Sequence, residues 1–294
     1  MDFEEYQRQA ARTDHIEDDQ GLIVPLLGLG GEAGSLLTEY KKLLRDRAAH
    51  SRFPAIVAEE LGDILWYVAT ISSRMSLDLG EIAMMNLAKV QDRWGNDDAG
   101  QMGLVLDPVL LDESFPQHEQ LSRTFSVRFE EVSETGRHRV RIYSDDVPIG
   151  DRLTDNAYDD DGYRYHDVFH LSYATILGWS PIVRKLMGRK RRSNTVVDEV
   201  EDGGRAQILE EAVAAYVYKY ARNHAYLENV MTLDYALLRT LKELTSGLEV
   251  SRCSFRDWER AVFAGFQVWR GLVRCRSGIV TCDLKARSIT LTEL

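Results

Sequence analysis

Cysteine is scarce: Cys253, Cys275 and Cys282 are the three thiols in 294 residues. Their number is odd and no two are spaced as CxxC, which argues against a disulfide framework and against a zinc knuckle. Reduced thiols in a cytoplasmic protein are the expectation. Long apolar runs are lacking too, and no stretch approaches the length needed to span a bilayer. The N-terminus, MDFEEYQRQA, has neither the basic nor the apolar segment of a signal peptide. Net positive charge is missing: the formal net charge is −11 and the pI about 5.2. A body this acidic argues against wholesale binding to nucleic-acid backbones, which needs positive surfaces. A local basic pocket for a small phosphate ligand remains compatible with it. What is present is an ordinary globular composition, 44% apolar and 28% charged, sufficient for one large domain or two ordinary ones.

Apolar residues recur at three and four positions from the start to about residue 95, the helical period. Helices are expected over residues 3–13, 22–47, from after Pro54 to 75, and 78–94. Pro25 is tolerable in the first turn of the second, and Asp78 and Glu81 have capping-box spacing before the fourth. Short loops between four helices suggest a bundle. Residues 95–116 read as a linker. Strands are expected over 124–132 and 138–144 around the turn SETG, and over 278–284 and 288–292. Both pairs are candidates for one antiparallel sheet. Between them helices are expected over 163–178, 182–192, 206–228, 235–248 and 255–274, with a loop at 193–204. The expected fold is mainly α: a four-helix bundle over 1–97, a linker and β-hairpin over 98–160, and a second helical region with a small antiparallel sheet over 161–294.

Chemistry in the first part centres on carboxylates. EELGD carries Glu59, Glu60 and Asp63, and residues three apart share a helix face. Glu60 and Asp63 can therefore aim at one point, where a divalent cation would offset their repulsion; a solvated acidic face is the alternative. In the preceding helix Gly28, Gly30, Gly31 and Gly34 surround Glu32. Glycine is costly in a helix, so the cluster implies close helix approach, a ligand near the backbone, or both. Glu39 lies on roughly the same face as Glu32, with Lys41 and Lys42 after it. Asn86, Lys89 and Arg93 give the fourth helix an amide and two cations on one side, suited either to a triphosphate chain or to solvent.

The runs GLGGEAGSLLTEYKK, EELGDILWYVATI and LDLGEIAMMNLAKVQDRW, in that order, resemble the MazG-like all-α nucleoside triphosphate pyrophosphohydrolases. The resemblance covers the first third of the chain. It implies cleavage of a nucleotide or dinucleotide between the α and β phosphates, with Mg²⁺, or Mn²⁺ in its place, held by an ExxE pair and an ExxD pair. By that resemblance Glu32, Glu60 and Asp63 are metal ligands. Glu32, Glu39 and Glu60 are the catalytic candidates, and Lys42, Asn86, Lys89 and Arg93 meet substrate phosphates. It also implies a homo-oligomer, with a dimer favoured. The second Glu of ExxE is replaced by Ser35, a neutral and weak ligand for a hard cation. Either Glu39 or Glu59 supplies the missing charge, or fewer ions bind, or turnover is weakened.

The rest of the chain resembles no family on sequence alone. His166 and His170 stand four apart on a helix and, with Asp167 or with Glu211, form a possible metal set; buried, hydrogen-bonded histidines are the alternative. HExxH is absent, which excludes a zincin protease, and the acidic run Asp159, Asp160 and Asp161 lacks EF-hand spacing. EEAVAAYVYKYAR, from Glu210, echoes EELGDILWYVATI and raises a diverged second copy of the helical pair. The basic run Arg184, Lys185, Arg189, Lys190, Arg191 and Arg192 is a candidate anion site or a solvated helix end. Three functions follow: a pyrophosphohydrolase, a catalytically weakened nucleotide sensor, or a bifunctional protein with a second metal site at His166 and His170.

Overall fold

The computed structural model describes residues 1–16, 21–94, 110–134 and 137–294, with the side chains of residues 93, 94, 133, 134 and 137 outside the description. Most of the expected linker, and the tip of the SETG turn, therefore lie outside it. The chain divides into two compact units, Met1–Gln91 and Asp92–Leu294.

The N-terminal unit is built from α1 (Phe3–Ala11), α2 (Ile23–Asp46), α3 (Phe53–Arg74) and α4 (Leu79–Trp94). Asp2 caps α1 by accepting from the Glu5 amide, and Asp78 does the same for Glu81 at α4. Helices α2 and α3 pair along their length and α1 lies against α3. Gly28 explains part of that closeness, because a Cβ there would fall on the Tyr67 ring. Gly30, Gly31 and Gly34 face open space instead. Arg74 of α3 holds Asp14 through its carboxylate, and Ile16 and Gly21 through their carbonyls.

Three helices pack, but the expected four-helix bundle is not closed. Leu79, at the start of α4, is buried with Ala10 and Ala69, and its amide donates to Gln7. Beyond that turn Met84, Met85, Leu87 and Val90 are exposed. The reason is in the sequence of α4: its apolar residues encircle the helix and form no single stripe, so one neighbour cannot cover them. Leu26, Leu27, Leu37 and Leu44 of α2 are exposed as well.

The C-terminal unit joins a five-stranded antiparallel sheet to a helical layer. The strands are β1 (Thr124–Glu134), β2 (Arg137–Ser144), β3 (Val147–Leu153), β4 (Ser277–Asp283) and β5 (Ser288–Glu293), in the spatial order β3-β2-β1-β4-β5. The two expected hairpins thus share one sheet, with Val127 opposite Val280 and Phe129 opposite Ile142. Alternate residues Val127, Phe129, Val140, Ile142, Val280 and Cys282 make the buried face. Strand β3 was not expected, because VPIGDRL holds Pro148 and Gly150; it is an edge strand, where a missing amide donor is tolerated.

The helices are α5 (Asp167–Leu177), α6 (Pro181–Leu186), α7 (Thr195–Val200), α8 (Gly204–Arg222), α9 (Tyr235–Leu244) and α10 (Phe255–Cys275). Every residue of α5 from Val168 to Leu177 is buried. It packs on α10, its main neighbour, and both helices touch β4 and β5; Gly265 permits the approach, since a Cβ there would sit 2.7 Å from Ser172 Oγ. Gly178, at φ +67°, ends α5. Gly188, at φ +64°, follows α6, which is shorter than the expected 182–192 helix. The expected 193–204 loop contains α7, capped by Asn194 through the amides of Val196 and Val197. Among the described residues no helix is long and apolar enough to cross a membrane.

Candidate functional site

In the N-terminal unit α2 presents Glu32 and α3 presents Glu60 and Asp63. Glu32 and Glu60 are half-buried and Asp63 is exposed. Glu60's carboxyl is pushed above its ordinary range, first by desolvation, then by a hydrogen bond with Glu32, then by the charges of Glu32, Asp63 and Glu39. Like charges set side by side in this way are offset when a cation lies between them. The Asp63 charge also reaches Tyr6 of α1, whose phenol is raised by burial and then by Asp63.

Glu39 is buried, and both its oxygens are engaged: Lys42 donates to one and His50 Nε2 lies 3.0 Å from the other. These partners hold it below the usual carboxylate range, the Lys42 hydrogen bond most of all. Lys42 is therefore turned toward Glu39. Asn86 and Lys89 lie exposed on α4, and the side chain of Arg93 is outside the described residues.

The second candidate lies in the C-terminal unit. His166 stands just before α5, His170 one turn along it, and Glu211 on α8. One ligand atom from each lies within 4.8 Å of the other two, the one such group of three among the described residues. The Glu32, Glu60 and Asp63 carboxylates are not drawn together that tightly. His166 is 8% exposed and His170 fully buried, whereas the Glu211 side chain is half exposed. Tyr163 stacks on the His166 ring with centroids 4.5 Å apart and an interplanar angle of 4°. Burial, then the Glu211 and Asp167 charges, push the Tyr163 phenol up to about 12. Burial opposes charge on His170, but the Glu210 and Glu211 carboxylates outweigh it and raise the imidazole to about 10. Three carboxylates, Asp167, Glu210 and Glu211, thus stand around the two rings.

Glu210 and Glu211 are consecutive on α8, and the fold gives them different places. Glu210 is fully buried and accepts from His170 Nδ1 at 2.9 Å, Ser180 Oγ at 2.6 Å and the Ile182 amide at 2.9 Å. The available signal was position: consecutive helix residues face about 100° apart, so only one of the two can point inward.

The basic run is likewise not an open anion site. Arg184 is 1% exposed and binds Asp112 at 2.9 Å and the Glu119 carbonyl at 3.1 Å. Arg191, equally buried, forks onto Asp202 and Glu249, and Lys190 pairs with Asp198. Burying the two guanidinium groups requires carboxylate partners, and the acidic string at 198–202 supplies one of them, Asp202, while its Asp198 takes Lys190. The three cysteines are free thiols; burial pushes that of Cys282 up to about 12.

The sequence profile of the MazG C-terminal domain family matches residues 107–294. The Gene 37 protein of Mycobacterium phage L5 is 36% identical over 86 residues, covering 29% of this chain and 73% of that protein. No solved structure matches. These findings correct the placement of the resemblance. The family match falls on the C-terminal part, which resembled nothing by motif, while the N-terminal third has no family match. Short acidic and glycine motifs on helices are weak markers, because any amphipathic helix offers carboxylates at such spacing. The match to 107–294 instead runs through the sheet and all the helices packed with it. It spans well over half of the residues, and on that ground this chain belongs to the MazG C-terminal domain family.

Proposed function

We propose that the chain is a divalent-metal-dependent nucleotide pyrophosphohydrolase, with Glu32, Glu60 and Asp63 of the N-terminal unit as the carboxylates that hold Mg²⁺ or Mn²⁺. The observation that carries this reading is the placing of Glu32 on α2 against Glu60 and Asp63 on α3, where burial and then Glu32 and Asp63 raise the Glu60 carboxyl. A hard oxygen donor set of this kind fits Mg²⁺. Membership of a MazG-related family supports a nucleotide as the substrate. When bound, the ion supplies Lewis-acid activation of the phosphate and of a water nucleophile. Glu32 orients that water as base. Glu39, held by Lys42 and His50, fixes the basic end of α2. Asn86, Lys89 and Arg93 offset charge on the leaving pyrophosphate. The products are a nucleoside monophosphate and pyrophosphate.

A homodimer belongs to the same reading. Among the described residues the buried apolar cluster of the N-terminal unit is Ala10, Ala69 and Leu79, while α2 and α4 expose leucine and methionine. A second copy would cover these faces, and light scattering on the purified chain measures it.

The test is pyrophosphate release from a panel of nucleotides with Mg²⁺ or Mn²⁺. Glu60→Ala combined with Asp63→Ala is expected to lower release at least about 100-fold, since even outer groups of a metal site are worth 10–100-fold. Binding of nucleotide without any release by the unmodified chain would instead make the protein a sensor, a reading that Ser35 favours.

A further inference from the structure

His166 and His170 share an arrangement of hydrogen bonds that fixes where their lone pairs go. His166 Nδ1 is 2.9 Å from the carbonyl oxygen of Tyr163, and His170 Nδ1 is 2.9 Å from Glu210 Oε1. A carbonyl and a carboxylate only accept, so Nδ1 carries the hydrogen in both rings. In the neutral form each Nε2 then bears a lone pair. Both Nε2 atoms face carboxylates: His166 Nε2 is 3.2 Å from Asp167 Oδ1, and His170 Nε2 is 3.5 Å from Glu211 Oε2. His170 Nε2 is completely buried, yet at that distance it has no hydrogen-bond partner. Electron-rich atoms converge on one point only when a cation offsets them. The candidates are an extra proton on each of two imidazoles whose centroids lie 5.8 Å apart, or a single metal ion.

We propose that His166 Nε2, His170 Nε2 and a Glu211 carboxylate oxygen bind one divalent transition-metal ion in the C-terminal unit, with Glu210 as the positioning residue behind His170. The spacing suits this. With bonds of about 2.1 Å, neighbouring ligands of a tetrahedral ion lie about 3.4 Å apart, close to the separation of His170 Nε2 and Glu211 Oε2. Two imidazoles select an ion such as Zn²⁺, Co²⁺ or Fe²⁺ over Mg²⁺ or Ca²⁺, which prefer oxygen. Glu210 is not a ligand: its three donors hold it behind the ring, where an outer carboxylate fixes a histidine's tautomer and orientation. Tyr163, stacked on His166, fixes the plane of the other ring. Both histidines are buried and Glu211 is half exposed, so the ion is reached from the Glu211 side. Three protein ligands with one side open to solvent is the pattern of metal sites that activate a bound water rather than merely brace a fold. The centre is separate from the α2–α3 carboxylates and stands whether or not they turn over nucleotides.

The test uses the tag-free full-length chain, stripped with chelator and dialysed against Zn²⁺ or Co²⁺ in excess Mg²⁺. Metal analysis is expected to find one equivalent per chain, and the Co²⁺ form to show the visible absorption of a low-coordinate nitrogen–oxygen site. Glu211→Gln, at a half-exposed position that leaves the core intact, and His166→Asn are each expected to weaken Co²⁺ binding at least about 10-fold, as is Glu210→Gln through loss of orientation. Circular dichroism establishes that each variant is folded. The Glu60→Ala, Asp63→Ala chain is expected to retain its full equivalent. The proposal is overturned if the unmodified chain retains no ion, the cluster then holding protons only. It is also overturned if Glu211→Gln and His166→Asn bind like the unmodified chain, or if the Glu60→Ala, Asp63→Ala chain loses the ion.

Discussion

Replacing Arg191 by methionine tests how the C-terminal unit uses its charges. The guanidinium is 1% exposed, with Nη2 2.7 Å from Asp202 Oδ1 and 2.6 Å from Glu249 Oε1. Its Nε and Nη1 reach Asp202, Glu249 and the Leu111 carbonyl. Methionine keeps the packing of the stem and removes every one of these donors. Asp202, which is fully buried, then retains the Arg191 backbone amide at 2.7 Å and the more distant Arg184. Removing one partner of a buried ion pair costs about 3–5 kcal/mol, because the other charge stays buried without compensation. Taking about 4 kcal/mol, and about 2–4 °C per kcal/mol for a unit of this size, the midpoint should fall by about 8–16 °C. Scanning calorimetry reads this directly. A fall of less than about 2 °C, at most about 1 kcal/mol on the same scale, would mean that Arg191 behaves as a solvated surface charge. The basic run would then be open to anions after all, and inorganic phosphate should raise the midpoint of the unmodified chain. With Arg191 internally paired, phosphate leaves it unchanged.

Three further outcomes are expected. Gly28→Ala drives a methyl into the Tyr67 ring and should destabilise by about 1–3 kcal/mol, whereas Gly31→Ala, facing open space, should be neutral or stabilise by up to about 1 kcal/mol. Equal effects in urea titrations would contradict the packing argument. Burial acts to raise the Asp112 carboxyl, but Arg184, the Leu121 amide and Arg123 outweigh it and hold it low. Its stabilisation is present above the ordinary carboxylate value and is lost as pH falls through the depressed one. Below about pH 4 the unmodified chain should therefore lose stability more steeply than Asp112→Asn, as acid titration followed by circular dichroism will show. Glu60 has the opposite sign: its raised carboxyl favours the metal-free fold at low pH, and that contribution fades as pH rises through the raised value. The gain in thermal midpoint on adding Mn²⁺ should be larger at pH 7.5 than at pH 5 and should shrink in Glu60→Gln; a gain independent of pH would contradict this.

Local periodicity made most of the elements legible. Helices α2, α3 and α10 and strands β1 and β4 begin and end within a few residues of their sequence-based bounds, because three-to-four and two-residue periods are written into contiguous sequence. Partnership was not legible. Nothing in the alternation of TFSVRFEEV tells β1 whether it pairs only with β2 or also with β4. The 184–192 run read as an anion site or a solvated helix end because two of its partners, Asp112 and Glu249, lie 72 and 58 residues from Arg184 and Arg191. Helix α4 read as a bundle member, but an apolar residue's period does not reveal whether a neighbour is there to cover it. At the candidate metal centre the His166–His170 spacing was visible as a helical turn. Glu211 was already a candidate beside them, but the role of Glu210 as the buried partner of His170 was not legible, since it depends on how α8 is rotated against α5.

The strand order carries a consequence for how the polypeptide is made. Ser126 of β1 and Thr281 of β4 face each other across the sheet with their hydroxyl oxygens 3.1 Å apart, although 155 residues separate them along the chain. During synthesis β1 emerges early, finds β2 on one side, and keeps its other edge unsatisfied until β4 has left the ribosome. An unpaired strand edge is a template for association with other chains, and at roughly 5–20 residues per second the delay lasts about 10–30 s. The nascent C-terminal unit is therefore exposed to misassembly for that interval, whereas the N-terminal helices, whose contacts are nearer in sequence, can fold while the ribosome is still translating the sheet.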